Sequence, residues 1–584
     1  MPSLNTPERH QPLRGRSTRH PLTQPLPRER GKKPPLIRKV HMQPKPFLIL
    51  ATLTLAGCNV GPDYKPPQVV VTPNFGELEK TTGTDPATQP SSVHARAEPI
   101  VEWWTTLRDP ELNDLIDRAT RQNLDLQRAT SRIRQARQDV IIAGGQFYPR
   151  VDAVGGYAAA RGSGNVDLPL GSSGGSSGSA SGGSSGGSGN STASRFHTLE
   201  AGGSSSGSSG PPPGGPQSPF GSGGLPGVQT ELYQVGLDAT WEIDIFGGTR
   251  RAVEAAGADY SASVEDRRDV LVTLLAEVAR DYLQLRALQE RLVIARENLQ
   301  TQQETYDLVN SRYKAGFVTD LDVSRQATQV QQTQSLIPPL EGQVRTTIHA
   351  LSVLVGQEPL ALSKELEIVA PMPKVPPDVP LGLPSSLLAR RPDIRRAEQQ
   401  IRAANARIGV ATADLFPKFS ITGQAGFDSS HVTDLFHWDS RYFILSPGVS
   451  WNLFDAGRIR ANIKAQTEQR QQLMYAYQQT VLTALKETED AIVLYSTEQS
   501  RRRSLGDAER SARTSVTVAR QQYKQGVVDF LTVLDTQRQL LSAQDERVRS
   551  DQQIASNLVA LYKALGGGWE LDAQKQAEAT DGNP

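Results

Sequence analysis

The chain has 584 residues, 37% of them hydrophobic and 21% charged, with a formal net charge of +1, which is enough for several domains or one extended architecture. Residues 1–57 hold 11 of the 63 basic and 2 of the 62 acidic residues, leaving 52 basic against 60 acidic residues in 58–584, a net of −8. An acidic body argues against generic nucleic-acid binding, and the single cysteine, Cys58, excludes a disulfide framework or a multi-cysteine metal site.

Residues 1–41 are rich in Arg and Pro and fit no targeting pattern. From Met42 the chain reads MQPKPFLILATLTLAGCNVGPDYKPP. A lysine precedes an apolar run, Phe47 to Leu55, that is too short to span a bilayer as a mature helix. Small residues then stand directly before Cys58. This is signal-peptide grammar, and residues 55–58 resemble a bacterial lipobox. The expectation is that translation starts at Met42, that 1–57 is a signal region, and that Cys58 becomes the lipidated first residue. That covalent lipid is the one non-protein group expected. Asn59, rather than Asp, after the cysteine is compatible with the outer membrane.

The rest of the chain repeats itself. In SRYKAGFVTDLDVSRQATQV (311–330) and QQYKQGVVDFLTVLDTQRQL (521–540), Tyr313, Lys314, Gly316, Val318 and Leu321 recur as Tyr523, Lys524, Gly526, Val528 and Leu531, an offset of 210. Trp241 and Trp451, Gly247 and Gly457, and Arg250 and Arg460 share that offset. Pro149 of FYPRV and Pro417 of LFPKF are 268 apart, so the first repeat holds 58 extra residues between its FYP motif and its Trp. A run in which 18 of 20 residues are Gly or Ser (171–190) lies in that interval. It cannot bury apolar surface and should behave as flexible coil. The arithmetic makes it a loop insertion over 161–228, not a linker between domains.

Both sides of the insertion alternate with a period of two: Tyr233, Val235, Leu237, Ala239 and Trp241 in one copy, Phe443, Leu445, Pro447, Val449 and Trp451 in the other. Such segments suit membrane β-strands or, taken alone, strands of a soluble sandwich. Two strands per repeat cannot close a barrel without partners. Between strands, Leu271, Leu274, Val278, Tyr282, Leu285, Leu288, Leu292, Ala295 and Leu299 average a spacing of 3.5, which predicts a coiled-coil seam. No proline interrupts 248–314, which predicts one helix of ~100 Å. Gly316 and Gly526 mark tight turns after long helices, and Pro338-Pro339 should break or kink the returning helix of the first repeat.

Several stretches together resemble the TolC-type outer-membrane efflux proteins, in particular the lipoprotein channels of RND drug and metal pumps (the OprM/NodT group). They are LLARRPDIRRAEQQIRAANARIGVATADLFPKFS (387–420), CNVGPDYKPP (58–67), the two YK-x-G turns, VLVGQEP (353–359) and ALGGGW (564–569). The resemblance covers nearly all of 58–570. It implies a mixed α and β membrane protein: four strands per subunit, three subunits closing a twelve-stranded outer-membrane β-barrel, and a long periplasmic α-helical coiled-coil barrel below. The implied division is a first efflux repeat over 58–355, with 161–228 as an extracellular loop, and an equatorial connection over 356–386. A second repeat over 387–570 and a disordered tail over 571–584 follow. A small equatorial domain is expected from 101–120, 356–390 and the segment after Gly566.

The resemblance also supplies site residues. Asp322 and Asp535 fall where the family has carboxylates at the periplasmic constriction, and Tyr523 matches a gating tyrosine. Thr532 stands where some relatives have a second Asp, so the acidic ring is expected to be thinner. A ring of carboxylates favours cations; the alternative is that Asp322 and Asp535 are solvated helix-start residues that complement the dipole. Gly316 and Gly526 are implied as adaptor-docking turns besides needing φ > 0. No enzyme is expected. His94, His197, His349, His431 and His437 show no spaced ligand pattern, and GSSSG (203–207) fits G-x-S-x-G only as low-complexity sequence does. The implied function is a passive exit duct for drugs, other toxic small molecules or metal ions. Its implied partners are two further copies of itself, outer-membrane lipid, a periplasmic adaptor and an inner-membrane RND transporter, with no nucleic acid. The alternatives are a type I secretion duct, which usually lacks a lipobox, and a surface-anchored coiled-coil scaffold or adhesin.

Overall fold

The computed structural model describes residues 59–68, 73–77, 92–94, 101–161, 229–376, 378–380 and 383–570. Met42, Cys58, most of the 161–228 insertion, His197 and the 571–584 tail lie outside the described residues, as does the side chain of His94. In chain order the elements are β1 (Ser92–His94), α1 (Pro110–Gln122), α2 (Leu124–Gly145), β2 (Arg150–Arg161), β3 (Gln229–Ile243), α3 (Gly248–Lys314), α4 (Asp320–Ser335), α5 (Ile337–Leu354) and α6 (Ser363–Leu366). There follow β4 (Asp378–Pro380), α7 (Pro384–Arg390), α8 (Pro392–Ala413), β5 (Lys418–Ser429), β6 (Arg441–Ser450), α9 (Arg458–Lys524) and α10 (Phe530–Ala564).

The sequence places both long helices. α3 and α9 each run 67 residues, about 100 Å at 1.5 Å per residue. Each starts after a glycine held at positive φ, Gly247 at 82° and Gly457 at 84°. α10 returns in one piece of 35 residues, whereas Pro338-Pro339 splits the corresponding return into α4 and α5.

β2, β3, β5 and β6 form one antiparallel sheet in that order. Directly opposed residues share a face. The register therefore gathers Val151, Ala153 and Tyr157 of β2, Tyr233, Val235 and Leu237 of β3, Phe419, Ile421 and Phe427 of β5, and Phe443, Leu445 and Val449 of β6 onto one side. The opposite side carries Asp152, Gln234, Asp238, Thr240, Ser420, Thr422, Gln424 and Ser446. The apolar side is not covered: Phe443 is 84% exposed and Leu445 71%. Trp241 and Trp451 fasten the strand ends to the preceding helix-to-strand turns, each donating its indole N–H to a turn carbonyl, that of Phe147 (2.9 Å) and of Leu415 (3.0 Å).

The middle of α3 departs from the expected narrow seam. Between Leu271 and Gln289 it is buried on nearly every side, including Leu275, Ala279, Leu283, Arg286 and Ala287. The segment 101–122, α5 and the 356–390 connection wrap the face that a helix pair alone would leave wet. Trp103 stacks on Tyr562 of α10 at 5.3 Å in this core. The buried Arg286 pairs with Glu111, and its guanidinium also donates to the Ile368 carbonyl (2.9 Å) and Gln289 Oε1 (2.7 Å). These contacts pair both terminal nitrogens of a cation that would otherwise be costly to bury, leaving only its Nε without a partner.

Residues 59–68 are stitched along the helix-to-strand junction. The Val60 amide donates to Phe246 O (3.2 Å), just beyond β3. The buried Arg251 donates to Val60 O (3.1 Å) and pairs with Asp63 (2.9 Å) and Glu254 (2.8 Å). Gly61 sits at φ +93° so close to Gly409 of α8 that a Cβ would lie 2.5 Å from the Gly409 Cα. Only glycine permits this approach.

Candidate functional site

The site implied for the chain is the pair of turns where the long helices reverse. Both close in the same way. Gly316 (φ +79°) donates its amide to Tyr313 O (2.8 Å), and the Phe317 amide bonds to Arg312 O (2.9 Å). Gly526 (φ +75°) and Val527 repeat this with Tyr523 O (3.0 Å) and Gln522 O (2.9 Å). This is the glycine-terminated helix end that satisfies the last carbonyls. No atom lies within 4 Å of where a Cβ would stand on either glycine, so conformation alone demands glycine there. The outer side of both turns is open. Phe317 (77% exposed), Leu321, Val527 and Leu531 project from it as two pairs at equivalent positions.

The next helix starts differently in the two turns. In the first, Thr319 and Asp322 form a capping box: the Asp322 carboxylate accepts from the Thr319 amide (3.3 Å) and hydroxyl (3.1 Å). In the second the two residue types are exchanged. Asp529 is the cap, accepting from the Thr532 amide (3.0 Å) and hydroxyl (2.6 Å). Those Thr532 bonds hold the Asp529 carboxyl below the usual carboxylate range. The acid expected at position 532 is therefore displaced by about one turn to 529 rather than lost. Asp535 is exposed and accepts from Gln539 Nε2 (2.7 Å) on its own helix. Asp322 lies 3.9 Å from Arg325.

Tyr523 joins the two turns. It is 4% exposed and packs on Phe530 at 5.6 Å, among Val309, Val533 and Leu534. Arg312, in the last turn of α3, lies over its ring at 4.7 Å and donates to the Tyr523 carbonyl (2.7 Å). One cation thus caps the C-terminal end of α9 and holds the ring through its π face. The phenol oxygen is buried without a hydrogen-bond partner, and burial pushes its pKa above the ordinary value while Arg312 opposes the shift. Tyr313, the equivalent residue, is exposed. Arg312 and Asp529 were not singled out from the sequence. The aspartate was findable as a cap directly before an apolar-periodic helix; the arginine, whose equivalent is Gln522, was not.

Above the turns the helices meet through polar layers. Gln302, Thr305, Gln326, Gln329, Thr333 and Gln537 are all buried. Gln326 Nε2 donates to Gln302 O (2.8 Å), Gln537 Nε2 to Thr305 Oγ1 (3.1 Å), and Arg538 Nε to Gln329 Oε1 (2.6 Å). The amide oxygens of Gln302, Gln326 and Gln537 have no partner. Water can replace contacts of this kind on separation, so the seam here costs less to open than the apolar core at the middle of α3.

A family model described as outer membrane efflux protein matches residues 187–357 and 383–567. The chain is 32% identical over 489 residues to the pyoverdine export outer membrane protein OpmQ of Pseudomonas putida, covering 83% of this chain and 92% of that protein. It is 35% identical over 341 residues to the toluene efflux pump outer membrane protein TtgI of Pseudomonas putida, covering 58% and 72% respectively. The solved structure of the outer-membrane channel OprN matches with a TM-score of 0.72 at 30% identity, covering 88% of this chain and all of that one.

Proposed function

The chain belongs to the outer membrane efflux protein family, and from that premise we propose that it is the outer-membrane exit duct of an RND-type tripartite pump. As such it conducts small toxic molecules or metal ions passively from periplasm to exterior as a homotrimer. The observation that carries the reading is the sheet. One face is apolar across all four strands, the other largely polar, and among the described residues the end strands β2 and β6 each have no neighbour on one side. In water such a sheet is unstable. In a bilayer the apolar face meets lipid, and edge strands of further copies supply the missing bonds. Three copies of four strands give twelve. A soluble scaffold or adhesin has no use for this face. No helix among the described residues is long and apolar enough to cross a membrane.

The equal lengths of α3 and α9 and the matching turns support a tandem repeat, with the helices as the periplasmic coiled-coil tunnel. Lipidation of Cys58 is supported by the path of 59–68, because the Val60 amide bonds Phe246 O just beyond the end of β3. The gate is the pair of turns: Arg312 clamps the hairpins together through Tyr523, and Asp322, Asp529 and Asp535 supply the carboxylates of the aperture. The exposed Phe317, Leu321, Val527 and Leu531 around Gly316 and Gly526 suit an apolar adaptor tip. The inner-membrane transporter selects the cargo.

Conductance in planar bilayers tests the reading. The purified trimer should form small, cation-preferring pores, and Asp322→Ala combined with Asp529→Ala and Asp535→Ala should abolish the preference. Absence of pore activity, or of a heat-modifiable trimer, would overturn the duct; an unchanged cation preference would overturn the aperture assignment alone.

A further inference from the structure

Between α6 and β4 the chain crosses the middle of the helices as an extended strap. Residues 370–376 read APMPKVP, and their prolines exclude a helix. Gln289 Nε2 holds the Leu366 carbonyl (2.7 Å) and Arg286 the Ile368 carbonyl (2.9 Å) at one end. Parallel pairing of β4 with β1 fixes the other. Between these anchors Met372 and Val375 peg the strap to the core. A cavity lies on either side.

The two cavities differ in what they leave unpaired. The smaller, about 820 Å³, contains Asp109, Glu111 and Tyr282. Its two acids are engaged: the Tyr282 hydroxyl donates to Asp109 Oδ2 (2.7 Å), and Glu111 pairs with Arg286; Lys374 of the strap lines both cavities. The larger, about 1120 Å³, is lined by Arg502, Arg503, Arg547 and Lys374 against only two acids, Glu290 and Asp551. Arg502 pairs with Asp551, and Arg547 with Glu290 (2.7 Å) and Asp551 (2.8 Å). Arg503 and Lys374 meet no carboxylate among the described residues. Arg503 donates to Ser500 Oγ (3.1 Å), while its Nε is buried without a partner. Gln499, only 1% exposed, lines the same cavity, and its Oε1 has no partner. Val293, Met372, Val375 and Ile554 supply an apolar wall.

Each unmet group asks for something specific. Arg503, with its buried Nε, and the exposed Lys374 beside it suit an anion. A buried amide oxygen wants an N–H or O–H donor. The apolar wall wants a hydrocarbon body, and the volume is that of a ligand site. A lipid headgroup in the bilayer is out of reach, since Arg503 lies 45 residues along α9 from Arg458, about 65 Å from the strand end. We propose that the cavity under the strap binds a single-chain amphipathic carboxylate carrying an amide N–H beside its acid group. The carboxylate sits on Arg503 and Lys374, the N–H on Gln499 Oε1, and the chain along Val293, Met372 and Ile554.

The probe is N-lauroylglycine carrying a diazirine in its chain, photo-cross-linked to the full-length channel in phosphatidylcholine nanodiscs and mapped by peptide mass spectrometry. Label should appear in 369–375 and 495–503. Unlabelled N-lauroylglycine should compete at concentrations about tenfold or more below those needed for N-lauroylsarcosine, which keeps charge and chain but has no N–H, or for the uncharged N-lauroylglycinamide. Arg503→Glu should abolish label at the strap. Met372→Trp, which fills the cavity and leaves its charges in place, should do the same. Label confined to strands 150–161 and 441–450, equal competition by all three compounds, or label at the strap that survives both substitutions would each overturn the proposal. None of these readouts depends on pore activity, so they stand or fall separately from the duct.

Discussion

The exchange of Thr319 and Asp322 for Asp529 and Thr532 is conservative in charge and not in position. Both pairs cap a helix, so local stability is kept, while the second carboxylate moves about one turn towards its glycine. Because Asp529 has its pKa lowered in the folded state, its contribution is present above the ordinary carboxylate pKa of about 4 and is lost as pH falls through the lower folded value. Acidification through that range should loosen the second turn, read as rising single-channel conductance, and Asp529→Asn should remove that part of the response. A second prediction separates the ring of Tyr523 from its hydroxyl. Since the phenol oxygen is buried and unpartnered, Tyr523→Phe should leave conductance unchanged and stability equal or slightly higher. Arg312→Ala removes both the carbonyl bond and the ring contact, and should raise conductance. A larger effect from Tyr523→Phe than from Arg312→Ala would show that the hydroxyl, not the clamp, holds the tip. The sequence offered Tyr523 through its resemblance, but Arg312 acts from 211 residues away, which no local pattern reports.

The RRPDIRR stretch illustrates what an element does that its motif does not say. Arg391, almost wholly buried, bonds Asp393 (2.7 Å), Glu487 (2.8 Å) and the Ala564 carbonyl at the end of α10 (3.0 Å). The Trp569 indole donates to Arg390 O (2.9 Å), and its ring is faced by Arg268 (4.5 Å) and Arg395 (5.1 Å). Glu265 bridges those two arginines at 2.7 and 2.9 Å. The start of α8, the first third of α3 and the end of α10 are thus tied at one knot. Removing one member of a buried charged set strands the others, so Arg391→Ala should cost about 3 kcal/mol in thermal or denaturant unfolding. Trp569→Phe keeps a ring for the guanidinium groups and loses one hydrogen bond, so it should cost only about 1 kcal/mol. Equal losses would show that the indole bond, not the charges, makes the knot.

For the whole molecule the sheet and the Gly/Ser insertion set the expectations. β2 ends at Arg161 and β3 begins at Gln229, so everything between them connects two paired neighbours. Their register is fixed by twelve opposed pairs and by the Tyr157–Tyr233 ring contact at 4.8 Å. Long polar connections cost little stability. Replacing 162–228 by a short turn should therefore leave trimer yield and conductance unchanged. Protease added to intact cells should cut the native chain within 171–215. Loss of the trimer on deletion would show that the insertion takes part in folding or assembly.

What the sequence determined by itself was local and periodic: alternation in the strands, one uninterrupted helix from 248 to 314, the proline break, and the two glycine turns at positive φ. These follow from backbone geometry and from which side chains fall on one face, and they need no knowledge of distant residues. The tertiary structure decided the rest. It buried α3 on nearly every side at its middle, where the sequence pattern showed only a seam, because 101–122 and 356–390 return to cover it. It buried Tyr523 while exposing its equivalent Tyr313, because only one of them meets an arginine from the other hairpin. It left Arg503 Nε and Gln499 Oε1 without partners beneath a proline strap. Such outcomes depend on which surfaces far apart in the chain come within a few ångströms, and burial and charge pairing are properties of that approach rather than of the residues themselves.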